Sequence, residues 1–200
     1  MKLAVLGTDE QWKDLTKGTK GVEWVRLDAL QAIPLNTDAI FILEEKIIPD
    51  YSITSKTIFI NSVCITLKEL NTAANVVRIN GWNGFLSRPN WEIAGSINER
   101  VISIFTALNK KFTAVPDEAG FIAARILAMI INEAWFTSGD EVSTKDNIDI
   151  AMRLGTNYPY GPFEWGKLIG EKNIFTLLQK LSTTNKRYLP APLLQQKISK

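Results

Sequence analysis

The chain has 200 residues, of which 46% are hydrophobic and 22% charged, and its formal net charge is +2. This length and composition allow one large domain or two small ones with a buried core, and they exclude a disordered or fibrous chain. A charge so close to neutral lacks the electrostatic signature of a nucleic-acid-binding protein, so no nucleic-acid partner is expected.

The chain contains no histidine and only one cysteine, Cys64. A single cysteine forms neither an internal disulfide nor a thiolate metal cage, and it is typical of a reducing cytoplasm. The most apolar helix candidate, FIAARILAMIINEAWF, is interrupted by Arg125 and Glu133 and falls short of the length of a membrane span. We therefore expect a soluble, cytoplasmic protein without a metal site and without a membrane partner.

The first half, residues 1–116, alternates short β-branched runs with polar connections. The runs that predict strands are residues 2–7, 22–27, 38–43, 57–61, 75–79, 91–95 and 111–115. Several of them are almost continuously apolar, as expected for strands buried on both faces of a parallel sheet. Ser96 and Glu99 are spaced as a capping box at the start of a helix. These patterns predict a small α/β domain.

The second half, residues 117–200, has a helical pattern instead. A long apolar helix is predicted to run to about Phe136, and another to begin at a capping box on Ser143 and to end at Gly155. Pro162 suits the first turn of a further helix. The proline-broken segment KRYLPAPLL predicts an extended strap before a short last helix. This half is therefore predicted to be an all-α domain.

The turn after the first strand, GTDEQW, is where a dinucleotide-binding domain carries G-x-G-x-x-G, with an acidic residue about 20 positions later. Gly7 is present, but Asp9 and Trp12 replace the second and third glycines. Asp9 would put a carboxylate where the backbone must approach a pyrophosphate. Asp28 keeps the position of the residue that holds a ribose hydroxyl, although it equally suits a cap of the following turn. These departures disfavour NAD bound in the usual manner.

The helical half resembles the C-terminal domain of 3-hydroxyacyl-CoA dehydrogenases. The resemblance rests on DEAGFIAARILAMIINEAW, NIDIAMRLGTNYPYGPFEWGKLIG and RYLPAPLL, which occur in this order. Its most specific element is LG-x-x-x-P-x-GPFE, from Leu154 to Glu164. The resemblance implies a homodimer formed through the helical domain, and a long apolar helix with little chain to cover it indicates the same.

In the first half, INGWNGFLSRPNWEIAG is similar to the family's H-F-F-N-P loop and the L-V-E-V strand that follows it. Aligned without gaps, Asn83 falls on the loop's asparagine and Glu92 on the glutamate, while Asn80 takes the place of the histidine. In the family that histidine takes the proton from the substrate's 3-hydroxyl, and the glutamate orients it. INSVCITLKEL is similar to S-N-T-S-S-L-S-I-T-E-L, which makes Asn61 a candidate substrate-binding residue.

Other positions depart from the family pattern. Val63 stands in place of a serine near the substrate oxygen, and Ala124 in place of the asparagine of G-F-x-x-N-R, whose arginine is kept as Arg125, a second candidate for substrate binding. The link at residues 28–37 is shorter than the family's helical hairpin, which helps enclose the CoA ester. The resemblance thus implies a reduced, mostly parallel, Rossmann-like domain followed by an all-α domain.

Each candidate also has a structural interpretation. Asn83 before Gly84 is an ordinary turn pair, and Glu92 can pair with Arg88. The tryptophans at 82 and 91 can stack on an adenine or an acyl chain, or they can pack in the core. The stripe formed by Phe121, Ile122, Ile126 and Ile130 suits a core or a dimer seam.

The lost base decides the functional prediction. An asparagine amide takes up no proton, and a positioned base is worth about 10²–10⁴ in rate. We therefore expect a 3-hydroxyacyl-CoA dehydrogenase-related protein with little or no NAD-dependent hydride transfer, and with a cleft for an acyl-CoA or nucleotide ligand. Two alternatives stay open. One is an active oxidoreductase on a 3-hydroxyacyl-CoA-like substrate that uses Glu92 as its base, and the other is a non-catalytic homodimeric structural or regulatory protein.

Overall fold

The computed structural model describes residues 1–45 and 54–199, and the chain forms two compact units, Met1–Phe121 and Ile122–Lys200. The first unit contains a seven-stranded sheet, and the second contains helices without strands among its described residues. Asp117–Phe121, assigned to the helical domain from the sequence, pack with the sheet unit. The reason is that Asp117 forms an ion pair with Arg78, a fully buried strand residue.

The sheet has the strand order β2-β1-β3-β4-β5-β6-β7. The strands are β1 (Lys2–Leu6), β2 (Glu23–Arg26), β3 (Ala39–Ile42), β4 (Thr57–Asn61), β5 (Val76–Ile79), β6 (Asn90–Gly95) and β7 (Lys111–Ala114). All neighbouring pairs are parallel except β5 and β6, which are antiparallel. The predicted α/β architecture with a mostly parallel sheet is confirmed, and each predicted strand is present.

The helices are α1 (Asp9–Thr16), α2 (Leu67–Leu70), α3 (Glu99–Ala107), α4 (Ala123–Gly139), α5 (Lys145–Thr156), α6 (Pro162–Ile169), α7 (Glu171–Ser182) and α8 (Pro192–Ile198). Two predicted helix starts were wrong. Asn98 rather than Ser96 caps α3, and Thr144 rather than Ser143 caps α5. In each case the capping residue is the extended one directly before the helix, so its side-chain oxygen reaches the N–H group three residues later.

Both faces of the sheet are buried because successive side chains of each strand point to opposite sides. One face packs under α1 and α3, and the other under α2 and the loop after β2. The strand residues of the first face include Leu3, Val5, Phe41, Phe59 and Ile79, and those of the second include Ala4, Leu6, Ile40, Ile58 and Ile60. With both faces covered, the carboxyl ends of the strands are the edge at which such a sheet binds ligands.

The helical unit is built around α4, which packs against α6, α7 and α8. Asn132, in the middle of α4, fixes the chain before α8. Its Nδ2 donates to the carbonyl of Leu189 at 2.9 Å, and its Oδ1 accepts the N–H of Ala191 at 2.8 Å. The predicted short last helix is present, but the predicted extended strap is limited to residues 189–191, because Lys186–Tyr188 form a 3₁₀ turn and α8 begins at Pro192. Within the described ranges, no helix has both the length and the apolar character that crossing a membrane requires.

Candidate functional site at the carboxyl edge of the sheet

The candidate site lies where β1, β3, β4 and β5 end. Because these strands are parallel neighbours, their carboxyl ends meet at one edge of the sheet. The edge therefore brings together Gly7 after β1, Asn61 at the end of β4, and Asn80 and Asn83 after β5. The switch point of the sheet, where open α/β sheets bind ligands, is the gap between β1 and β3.

Asn61 ties three strand ends together. Its Nδ2 donates to the carbonyl of Leu43 after β3, and its Oδ1 accepts the N–H of Gly81 after β5, both at 2.9 Å. A Cβ on Gly81 would lie only 2.8 Å from the Cβ and Cγ of Asn61, which is why this position is glycine. The amide of Asn61 is thus engaged at both ends by backbone groups of its own chain.

Gln11, a residue of α1 that the sequence did not single out, fills the switch point. Its Nε2 donates to the carbonyl of Leu43 at 2.9 Å and to that of Gly81 at 3.1 Å. Its Oε1 accepts the N–H of Thr8 at 3.1 Å, and the Thr8 hydroxyl accepts the N–H of Gln11 at 3.3 Å. Gln11 is 7% exposed. The side chain therefore closes a capping box and bridges two strand ends at once.

The turn at Gly7 does not fit a pyrophosphate. A Cβ on Gly7 would lie 3.0 Å from the Cβ of Leu43 and 3.1 Å from the Oε1 of Gln11, so the space beside the glycine is taken by the chain's own side chains. Asp9 adds a carboxylate to the first turn of α1 and pairs with Arg26 at 2.5 Å. The residues present therefore do not fit NAD held at this turn in the usual manner.

Asn80 and Glu92 flank the last pair of the antiparallel strands β5 and β6. That pair is Ile79 with Ile93; Asn80 follows Ile79 in the chain, and Glu92 precedes Ile93. Asn80 is 7% exposed; its Oδ1 accepts the N–H of Trp82 at 3.3 Å, while its Nδ2 is buried without a hydrogen-bond partner. Glu92 is half-buried.

The surroundings of Glu92 include a cation. Burial lowers the pKa of Arg88, and the negative charge of Glu92 partly opposes that shift. Glu92 is thus close enough to Arg88 to stabilise its charge.

The remaining candidates are Asn83, Asp28 and Arg125. The Nδ2 of Asn83 donates to Glu10 of α1 at 2.8 Å, so this side chain contacts a helix of its own unit. Asp28 is an exposed residue of the loop after β2. Arg125 lies on α4 in the other compact unit.

Glu45, Trp82 of the loop after β5 and Trp91 of β6 form the next group of contacts. The Oε1 of Glu45 accepts the Val63 N–H at 3.3 Å and the indole N–H of Trp82 at 3.1 Å. Although Glu45 is an exposed residue, burial of its carboxylate raises its pKa, and these two hydrogen bonds partly oppose the rise. Trp91 donates to the carbonyls of Leu86 and Arg88, and both tryptophans are buried.

Sequence reasoning missed Gln11 and Glu45 for different reasons. Thr8 and Gln11 have the T-x-x-Q spacing of a capping box, so the sequence contained a signal for Gln11. Glu45 bonds to residues 18 and 37 positions away, and no local pattern marks such contacts. Across residues 1–45 and 54–199, no group of three or more His, Cys, Asp or Glu side chains is arranged to hold a metal ion.

Comparison with known proteins places the second half in a family. The family model described as the 3-hydroxyacyl-CoA dehydrogenase C-terminal domain matches residues 120–200. The 3-hydroxyadipyl-CoA dehydrogenase of Escherichia coli (strain K12) is 38% identical over 104 residues, which cover 51% of this chain and 22% of that protein. The 3-hydroxybutyryl-CoA dehydrogenase of Clostridioides difficile is 35% identical over 102 residues, which cover 50% of this chain and 36% of that protein.

The fold comparison extends over both units. The crystal structure of (S)-3-hydroxybutyryl-CoA dehydrogenase from Ralstonia eutropha is similar with a TM-score of 0.73, covering 99% of this chain and 93% of that chain at 17% identity. At this identity the similarity establishes the fold alone. The matches with the curated relatives above span between about a fifth and about a third of those relatives' length. Residues 120–200 therefore match the 3-hydroxyacyl-CoA dehydrogenase C-terminal domain, and in this half the chain is similar to 3-hydroxyacyl-CoA dehydrogenases.

Proposed function

We propose that this chain is a 3-hydroxyacyl-CoA dehydrogenase-related protein with little or no NAD-dependent hydride transfer. The observation that carries the proposal is Asn80, which aligns with the family's base and directly follows Ile79, the β5 residue paired with Ile93 next to Glu92. Removing a hydride from a secondary alcohol requires that its hydroxyl proton be taken up, and an amide does not accept that proton. Glu92 is then left without the imidazole that it would orient.

The contacts of two further residues support the proposal. The Asn83 side chain is bound to Glu10, and the Asn61 amide is bound at both ends to backbone groups. Both residues align with positions near the substrate in the family, and both are engaged within the chain's own fold. Restoring the base alone would leave these two contacts in place.

We expect neither the unaltered chain nor Asn80→His to oxidise NADH with acetoacetyl-CoA above the rate in buffer. The histidine variant would regain a base but not a turn that accepts the dinucleotide, so it should stay inactive. NADH absorbance at a high enzyme concentration measures the rate. Turnover by the unaltered chain that Glu92→Gln abolishes and Glu23→Gln preserves would contradict the proposal and establish the active oxidoreductase with Glu92 as its base.

The same experiment includes a measurement of the melting temperature with acetyl-CoA. Acetyl-CoA that raises the melting temperature in a saturable manner would show that a CoA-type ligand binds the native state, since only such binding stabilises it. No shift with acetyl-CoA would favour the non-catalytic alternative, in which the helical unit carries the function through self-association.

The surface of α4 favours self-association. Ile122 and Ile126 are 51% and 55% exposed, and Met129 and Ile130 are half-buried on the same side of the helix. An apolar depression of about 430 Å³ is bordered by Ile126, Met129 and Ile130 together with Arg125, Glu133, Arg187 and Tyr188. Exposed apolar surface of this kind is typical of a protein–protein contact. We propose that a second copy of this chain covers it.

The charges on this face are self-complementary. Arg125 and Glu133 are eight residues apart, which is about 12 Å along a helix, and Met129 lies midway between them. If two copies of α4 cross antiparallel at Met129, each Arg125 faces the partner's Glu133. A two-fold axis requires that each surface complement itself, and this arrangement meets the requirement.

We expect the unaltered chain to sediment at twice its 22.4 kDa, and Ile126→Glu to weaken the dimer about 100-fold or more, because the change buries a carboxylate at the seam. Sedimentation equilibrium measures both. Leu154→Glu is the matched control, since Leu154 is 84% exposed on α5. A dimer that survives Ile126→Glu unchanged, or that Leu154→Glu weakens equally, would place the interface elsewhere.

A further inference from the structure

We infer that the side-chain amide of Gln11 occupies the place of a dinucleotide pyrophosphate in this sheet, as a surrogate built into the chain. In a dinucleotide-binding domain the pyrophosphate lies at the first turn of the helix after β1, where it accepts backbone N–H groups. Here the Oε1 of Gln11 accepts the N–H of Thr8 at that turn, 3.1 Å away. The same oxygen would lie 3.1 Å from a Cβ on Gly7, which places it beside the glycine turn.

The nitrogen of the Gln11 amide binds at the crevice between the strand ends, which a bound ligand would span. Nε2 donates to the carbonyl of Leu43 at the end of β3 and to that of Gly81 beyond β5. One uncharged side chain thus satisfies a donor of α1 and two acceptors of neighbouring loops. These are the groups that an ordinary crevice leaves to water or to a ligand.

Two neighbouring contacts hold α1 against the loop after β5. Glu10 accepts from the Nδ2 of Asn83 at 2.8 Å, and Asp14 accepts the N–H of Gly84 at 3.3 Å. Together with Gln11, these residues bind the loop from one side of α1. Glu10 and Asp9 also place two carboxylates in the first helical turn, where they interact favourably with the helix dipole and repel a pyrophosphate.

The loss of the glycine turn that would hold a dinucleotide, here called the dinucleotide cradle, is independent of the loss of the catalytic base at Asn80. The surrogate does not involve Asn80, and a chain with a working base would still lack the cradle. As a consequence, the sheet unit is complete without a dinucleotide, and its stability depends on Gln11 instead.

The test is a thermal and fluorescence titration of the full chain with NADH, alongside Gln11→Ala and the exposed control Gln196→Ala. We expect no saturable energy transfer from tryptophan to NADH and no rise in melting temperature for the unaltered chain. Gln11→Ala should melt about 4–10 °C lower, because the Thr8 N–H and the Gly81 carbonyl lose the bond to Gln11 and the Leu43 carbonyl keeps only its bond from Asn61. The melting temperature of Gln196→Ala should not change.

Two results would overturn the inference. One is saturable NADH binding by the unaltered chain, and the other is a melting temperature of Gln11→Ala equal to that of Gln196→Ala. If Gln11→Ala does not fold, amide hydrogen exchange on the unaltered chain decides. Slow exchange of the Thr8 N–H supports the surrogate, and exchange at the rate of an unstructured amide refutes it. Turnover by a chain that shows neither of the two overturning results would refute only the proposed function.

Discussion

Asp117→Asn is expected to lower the free energy of unfolding of the sheet unit by about 3 kcal/mol, at the low end of the cost of removing one partner of a buried ion pair. Arg78 is fully buried on β5, and its Nη1 lies 2.5 Å from the Oδ1 of Asp117. Burial lowers the pKa of Arg78, and Asp117 is the main group that opposes this shift. Without the carboxylate, the guanidinium stays charged and buried but loses its counter-ion.

The low end of the range applies because 28% of the Asp117 side chain is exposed, so water can screen part of the loss. Arg78 also keeps a hydrogen bond to the carbonyl of Glu118 at 2.6 Å, and it stacks on the ring of Phe121 at 4.5 Å. These contacts join β5 to residues 117–121, the segment that ends the sheet unit. Asp117 additionally accepts the N–H groups of Leu67 and Lys68 at the start of α2.

Urea unfolding followed by tryptophan fluorescence measures the effect, with an unchanged slope and a lower midpoint. Glu23→Gln is the matched control. It removes one partner of the surface pair Lys2–Glu23, whose N···O distance is 2.8 Å, and it should cost no more than about 1 kcal/mol. Equal small losses in both variants would mean that Arg78 does not depend on Asp117.

The sequence predicts the strands of this fold well because burial on both faces leaves a nearly continuous apolar run. The run AIFI of β3, for example, is buried at each position. The run NVVRI follows the same rule but places one arginine within it. A charge at a buried strand position requires a partner, but its identity, 39 residues away, is not encoded locally.

The helix caps also show what a local sequence pattern does not determine, namely which of two neighbouring residues caps a helix. Ser96, Asn98, Ser143 and Thr144 are all good capping residues, so composition alone does not choose between neighbours. Backbone conformation decides, because the chain is extended at Asn98 and Thr144 directly before each helix. The candidate site depends even more on tertiary contacts. Gln11 takes part in it only because the ends of β3 and β5 lie beside α1.

The family resemblance rests most specifically on an element whose contacts in this fold are structural. The GPFE segment begins α6, with Pro162 in its first turn and the N–H of Gly161 bound to the carboxylate of Glu164 at 2.8 Å. Asp149 of α5, buried and outside that element, accepts the N–H groups of Phe163 at 2.8 Å and Glu164 at 3.2 Å. Its carboxylate thereby satisfies two N-terminal donors and complements the helix dipole.

Gly161→Ala and Gly155→Ala are expected to change stability in opposite directions, although both glycines belong to the same element. A Cβ on Gly161 would overlap the side chain of Asp149, so the carboxylate must move from the two N–H groups that it caps. We expect a loss of about 3 kcal/mol from overpacking and from the broken hydrogen bonds.

Gly155 lies within α5, and a Cβ added there would meet nothing within 4 Å beyond its chain neighbours and the backbone of its own helix. Alanine should therefore stabilise the helix by about 0.5–1 kcal/mol. Thermal unfolding of the two variants measures both signs. Asp149→Ala/Gly161→Ala then tests the cause, because removing the carboxylate relieves the overlap. The double variant should lose no more than Asp149→Ala alone, and additive losses would show that Gly161 is required for another reason.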